Sequence, residues 1–437
     1  MVQTRSMQRK SGGALCGDFV PQRRRTQRIA VREENAETIL RDAIDVVFKY
    51  LDMRDLHAAS QVCSSWNVAA AREATKRSHI QQLLIPHNSE DLANSNSVYH
   101  IPAALSVKPC VALFFVESRL IEEFNFGRSD SSLPIARQMG SVRTLAPPMM
   151  DNHFENCFMS PVFNVYKQQL PEKLIGMEVS EYTTDKHVAM PKELKQQVTL
   201  EAAGSQSILG IFLPKKKELN VRVAWCENFN DDVNDVADNI ADQLIFDDLP
   251  ENYGSAMLVF AQSLAGYFLA EKVVLNVTRK YPSRNEHAWG GLFGNELGAT
   301  NCQEIDSSID NKKIFVGLRI ASPGLQTWMT VIDCSDRRDE VVQKLQEFRQ
   351  QVQRKKHTIG LAYGPKFIRP FAKSNIDLFY DGQDVMRAIK GVFTDIGFSG
   401  FLNRDSRILI SSNAIDEELC QRMSRDKFMT LIVIAYD

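Results

Sequence analysis

Hydrophobic positions follow two different rhythms along this chain, and the change comes near residue 80. Before it, apolar side chains recur at Leu40, Ile44, Val47, Phe48 and Leu51, a spacing of i, i+4, i+7, i+8 and i+11 that lines one face of a helix. Asp52 stands where a cap is needed, and Leu56, Ala59, Val62 and Cys63 give a second short helix its apolar side. Trp66 opens a third helix, completed by 69–78. Three short amphipathic helices in about 40 residues cannot bury all their apolar faces against one another. The surplus predicts a partner or packing on the rest of the chain, and an ordinary helical hairpin resting on its own domain would show the same period.

Beyond residue 80 the apolar runs shorten to strand length. They fall at 80–85, 111–116, 174–179, 208–213, 221–224, 257–260, 314–320, 327–332, 358–362, 398–402, 408–411 and 430–435. Val111–Val116 is apolar throughout, the mark of a strand buried on both faces. A helical period returns at 233–245, 268–277, 338–354 and 383–394. The charged turn 214–218 predicts that the strands on either side of it pair, and Ser322-Pro323-Gly324 predicts a turn joining the next two. Residues 127–152 read as a long Gly-, Ser- and Pro-rich loop. No stretch repeats another in sequence. The order predicts an α+β chain: three N-terminal helices, then a layered α/β body with mixed sheets.

Composition adds bounds. A chain of 437 residues, 44% apolar and 24% charged, has room for two or three domains with a large core. No apolar run reaches the ~18 residues of a membrane span, so no membrane association is expected. Eight cysteines lie far apart, with no CxxC and no Cys/His pair at zinc-finger spacing, which predicts free thiols in a reducing compartment and no metal site. Charge is uneven. Residues 1–32 carry eight Lys/Arg and one Asp, so a net −2 chain has a +7 tail and a −9 remainder. Such a tail predicts disorder, and Arg23-Arg24-Arg25 reads either as an import signal or as solvated charge. Without interleaved aromatics it does not predict nucleic-acid binding.

No HExxH, GxSxG or Walker A sequence is present, and the eight histidines are dispersed. The run Gly290-Gly291-x-x-Gly294-x-x-x-Gly298 is open to two readings: a tight turn needing close packing or positive φ, or a shallow anion or metabolite pocket lined by backbone N–H groups. The acids at 231–248 read as the solvated face of the helix at 233–246.

The helical stretch resembles an F-box in Val47-Phe48-Lys49-Tyr50-Leu51, Asp55-Leu56 and Val62-Cys63-x-x-Trp66; the family's opening Leu-Pro is Ile39-Leu40 here. The body resembles a FIST domain at 207–215, at His287-Ala288-Trp289-Gly290-Gly291, at 358–362, around Val385-Met386 and at Phe398-Ser399-Gly400-Phe401-Leu402. Where that family often has a Gly-rich turn, this chain reads Phe401-Leu402-Asn403-Arg404-Asp405. Composition predicts a disordered basic tail at 1–34, and the resemblance implies an F-box at 35–79 and N- and C-terminal FIST halves at 80–300 and 301–437. It implies the non-catalytic substrate-recognition subunit of a Skp–cullin–F-box ubiquitin ligase, without cofactor, in cytoplasm and nucleus. The adaptor and cullin scaffold would be partners, along with protein substrates of nuclear or chromatin-associated kind. Adaptor contact would fall to Leu40, Ile44, Val47, Phe48, Leu51, Leu56, Val62, Cys63 and Trp66. Substrate or ligand contact would fall to Gly290, Gly291, Gly294, Gly298, Phe398 and Gly400. A small-ligand-sensing module is the alternative.

Overall fold

A computed structural model describes residues 43–51, 53–77, 80–86, 105, 109–118, 172–183, 207–215, 218–228, 232–246, 249–250, 252–280, 287–293, 297–301, 313–368, 378–404, 406–409 and 427–437. The tail 1–34, Leu40, Asp52, the loop 127–152 and Gly294 lie outside the described residues.

Three helical pieces come first: a segment at 43–48, α1 (Met53–Ser60) and α2 (Ser64–Lys76). Among the described residues, fifteen strands follow in three five-stranded sheets, each both parallel and antiparallel, so the chain is a mixed α/β fold behind an N-terminal helical unit. The first sheet runs β9 (Leu297–Asn301), β3 (Lys173–Val179), β2 (Pro109–Glu117), β5 (Ser207–Pro214), β1 (Gln81–Pro86). The second runs β14 (Arg407–Ile408), β8 (His287–Leu292), β7 (Tyr253–Ala261), β10 (Phe315–Pro323), β6 (Asn220–Cys226). The third runs β4 (Glu181–Thr183), β13 (Phe398–Asn403), β12 (His357–Pro365), β15 (Phe428–Tyr436), β11 (Gln326–Asp333).

These three lists have one grammar. In each, an edge strand pairs antiparallel with the next, two central strands run parallel, and two more antiparallel pairings complete the sheet. In chain order the strands form three successive groups of five, β1–β5, β6–β10 and β11–β15. The fourth strand of each group leaves it: β4 joins β13, β9 joins β3 and β14 joins β8. The exchange is cyclic, so every group completes the sheet of another. The expected division into halves at 300/301 therefore gives way to three repeats that meet near 214–220 and 323–326. Two turn readings change for the same reason. The turn at 214–218 does not join a strand pair, since β5 and β6 lie in different sheets, and the turn at Gly324 likewise carries the chain from β10 to β11 in another sheet. Both are joints between repeats. Gly290 and Gly291, open to reading as a tight turn, lie in strand β8.

One core lies between the sheets. Inward side chains from all three form a continuous cluster that includes Val111, Leu113, Ile175, Leu258, Leu318, Leu361 and Ile432. At corresponding places on the second strand of each repeat stand Phe115, Phe260 and Tyr363. Phe115 stacks on Phe401 at 3.8 Å, Tyr363 stacks on Phe293 at 4.3 Å, and Trp289 meets Tyr363, Phe401 and Phe293 edge-on. The centre is therefore filled by six rings, each contact contributing about 0.5–1.5 kcal/mol beyond area burial. The polar ends of two rings bind across the seam between the second and third sheets: Tyr363 Oη donates to the Leu292 carbonyl and Trp289 Nε1 to the Thr430 carbonyl.

Helices cover the outer faces of the last two sheets. α3 (Val233–Leu244) and α4 (Leu264–Lys280) bury Ala237, Ile240, Ala241 and Leu244 with Tyr267, Val273 and Val277 against the second. α5 (Arg338–Gln351) and α6 (Gly382–Val392) bury Val341, Leu345, Phe348, Val385, Met386 and Ile389 against the third. Two of these helices, α3 and α6, begin at an Asp that accepts an orphan N–H: Asp232 accepts from Asn234 N, and Asp381 from Asp384 N.

Candidate partner-docking site

The helical unit holds itself together with the residues its periodicity marks as most apolar. Phe48 is 1% exposed and Leu56 4%. They form a small core with Ala59, Ala69 and Ala70, against which Ile44, Leu51, Trp66 and Ala74 pack. Phe48 meets Trp66 edge-on at 5.4 Å, the contact that joins segment 43–48 to α2.

Arg77, which the apolar pattern does not pick out, ties the same two pieces. Its guanidinium donates to the carbonyls of Phe48 and Leu51 and pairs with Glu73 at 2.9 Å. Those carbonyls lie at and just past the C-terminal end of 43–48, where unsatisfied C=O groups and the helix dipole both favour a cation. Its side chain is 12% exposed and that of Glu73 9%, so loss of Glu73 takes the carboxylate from a largely buried guanidinium, while Glu73 also has Lys76 Nζ at 3.9 Å. Arg72 adds a 2.7 Å pair with Asp45. The signal for Arg77 in sequence is only its place just after the third helix.

With those side chains turned inward, a different set faces solvent. Val46, Val47, Tyr50, Val62 and Val68 are 52–85% exposed, and Cys63 is exposed at the start of α2. Hydrogen bonding to Ser65, then to the Trp66 backbone, lowers the Cys63 thiol below its ordinary value. The nine residues expected to meet an adaptor thus divide. Phe48 and Leu56 are buried, and Ile44, Leu51 and Trp66 are half-buried supports. Val47, Val62 and Cys63 are open to contact, joined by Val46, Tyr50 and Val68, while Leu40 lies outside the described residues.

The glycines singled out in the body are not gathered in a loop. Gly290 and Gly291 are in β8, Gly298 in β9, and Gly400 with Phe398 in β13. Gly290 has φ +135°, and a Cβ there would stand 1.9 Å from the Val259 carbonyl oxygen; at Gly291, φ +154°, it would stand 2.0 Å from that of Arg407. Neighbouring backbone fills the space a ligand would take. A Cβ at Gly400 would meet Met386 Sδ at 2.5 Å, and Phe398 is buried beneath α6. No group of three or more His, Cys, Asp or Glu gathers as metal ligands among the described residues. No helix among them is long and apolar enough to cross a membrane.

Residues 46–81 match the F-box-like family model. No curated protein matches the chain significantly in sequence. Among solved structures, cyanuric acid hydrolase from A. caulinodans aligns over 82% of this chain and 98% of its own, at 11% identity and a TM-score of 0.33, too low to transfer an activity.

Proposed function

We propose that the chain is the substrate-recognition subunit of a Skp–cullin–F-box ubiquitin ligase, docking the adaptor through its N-terminal helices and a protein substrate through the three-sheet body. The observation that carries this reading is the F-box-like match at 46–81 on a helical unit that keeps Phe48 and Leu56 for itself and leaves Val47, Tyr50 and Val62 in solvent. An F-box followed by a FIST-like body is also the order of F-box only protein 22, which the chain resembles. The match makes an adaptor-binding role the basis of the proposal. The cullin scaffold, the substrate and the degradation that follows are inferred from it.

Such a subunit breaks no bonds. It holds a substrate beside a ubiquitin-charged partner and raises the local concentration of the acceptor lysine. The basic cluster Arg23–Arg25 supports nuclear as well as cytoplasmic residence and substrates of nuclear kind.

The test is co-purification of the full chain with a Skp-type adaptor and cullin scaffold, beside a Val47→Arg, Val62→Arg variant. Both positions are exposed, so the variant keeps its fold. Wild type is expected to recover adaptor and scaffold, and the variant neither. Failure of the wild type to recover the adaptor overturns the reading.

A further inference from the structure

The second and third repeats dress their sheets with equivalent helix pairs, α3 with α4 and α5 with α6, but finish the outer surfaces differently. α5 carries three basic and three acidic residues, Arg338, Lys344 and Arg349 with Asp339, Glu340 and Glu347. Neither α5 nor α6 has a large apolar side chain in solvent. α4 has three: Leu264 at 46%, Phe268 at 52% and Leu275 at 38% exposure. They stand at i, i+4 and i+11, one stripe on the face turned away from buried Tyr267, Val273 and Val277. The fold does not require this stripe, because the equivalent α6 does without one.

Beside it runs α3, which belongs to the most acidic stretch of the sequence. Residues 227–251 contain nine Asp/Glu and no Lys or Arg. α3 lies along α4, joined by Asn276–Asp238 at 2.9 Å, Lys272–Asn234 and Lys280–Asp242. Two lysines of α4 are thus already engaged, and α3 still presents Asp235 and Asn239 outward. An apolar stripe flanked by acid fits a basic segment with apolar anchors.

We propose that the occupant is the chain's own N-terminal segment, residues 1–32. It holds eight Lys/Arg against one Asp, and places Leu15, Phe19, Val20 and Ile29 among them. Reach is sufficient. The 23 residues between Phe19 and residue 43 can span roughly 80 Å when extended, while a folded chain of this length has a radius of gyration of roughly 22 Å. The tether raises occupancy further: a flexible link sets an effective concentration of order mM, so a contact measurable but modest between separate molecules is nearly saturated within one. The ionic part is exposed and screened within about 8–10 Å at physiological salt, so the contact weakens as salt rises.

The experiment uses the full chain in three forms: wild type, a tail variant with Arg23, Arg24, Arg25 and Arg28 each changed to Glu, and that tail variant with Phe268→Glu added. A fluorescent peptide of residues 1–32 is titrated into each at low salt and followed by anisotropy. The tail variant, its surface free, is expected to bind the peptide at least ~10-fold more tightly than wild type, whose own tail competes. Adding Phe268→Glu is expected to remove at least ~10-fold of that affinity with thermal melting unchanged. No binding to the tail variant, or equal binding with and without Phe268→Glu, overturns the proposal. Sedimentation of the wild type provides a second arm. A concentration-dependent doubling of mass that Phe268→Glu abolishes assigns the stripe to a second copy of the chain and overturns the proposal as well.

Discussion

The helical unit and the three-sheet body solve the burial problem at different scales. The body closes three sheets around one core and covers the last two with helices, so even Phe115, Phe260 and Trp289 reach 0% exposure. The helical unit has about 35 described residues and a core of five, and it leaves Val46, Val47, Tyr50, Val62 and Val68 in solvent. Surface grows relative to volume as a domain shrinks, so a unit of this size exposes apolar area whatever its sequence. The body's α4 stripe is another matter, since the body is large enough to have avoided it. Exposure in the first case follows from size, and in the second from a choice of residues.

The sharpest way to break the comparison is Gly290→Val. In the body a Cβ at that position meets the Val259 carbonyl at 1.9 Å with φ at +135°, so the variant is expected not to accumulate as folded protein, measured by soluble yield and circular dichroism. A folded Gly290→Val chain would mean that β7 and β8 are not as tightly joined as described.

Next comes Phe115→Ala, which removes a ring from the centre. A loss of about 3–5 kcal/mol in denaturant-derived stability is expected, spread over all three sheets as one transition. A loss confined to one sheet's hydrogen-exchange protection would show that the repeats do not fold together.

In the helical unit, Phe48→Ala takes the largest side chain from a core of five residues and is expected to cost about 3 kcal/mol. That is a large share of what so small a unit can hold, so residues 43–77 are expected to lose exchange protection while β12 and β15 keep theirs. Adaptor recovery is expected to be lost in this variant through unfolding. In the Val47→Arg, Val62→Arg variant it is expected to fall by at least ~30-fold with protection intact. The pair of variants separates support from contact.

The smallest effect concerns His287. Burial pushes its pKa below the usual histidine range, and its Nδ1 has no hydrogen-bond partner. The sign follows from linkage: the unfolded chain takes up the proton first, so the native state keeps its full advantage above about pH 6.5 and loses it as pH falls toward the depressed folded value. His287→Gln is expected to flatten the stability profile below pH 6.5. An identical slope in both proteins would remove His287 from the account.

Much of the secondary structure is legible in the chain. The period of 3.6 at 233–245 and 338–354 and the unbroken run Val111–Val116 state helix and doubly buried strand directly, because local backbone geometry imposes those periods. β8 is hidden by Gly290 and Gly291, which look like turn residues until Val259 and Arg407 stand against them. The cyclic exchange of β4, β9 and β14 is hidden altogether, since these strands are two to five residues long and pair with partners far away in sequence.

The docking site shows the same limit. Sequence alone determines that residues 40–66 carry helical periods with more apolar surface than such short helices can bury, and that charge separates into a basic tail and an acidic remainder. Those are sums and periods, and no folding is needed to read them. Only the tertiary structure decides which apolar residues are spent inside. Phe48 and Leu56 go inward because three helices meet there and Arg77 pins the end of the first, while Val47 and Val62 are left outside by the same geometry. Burial is a property of the space between elements, and a periodic pattern marks a face without saying what that face meets.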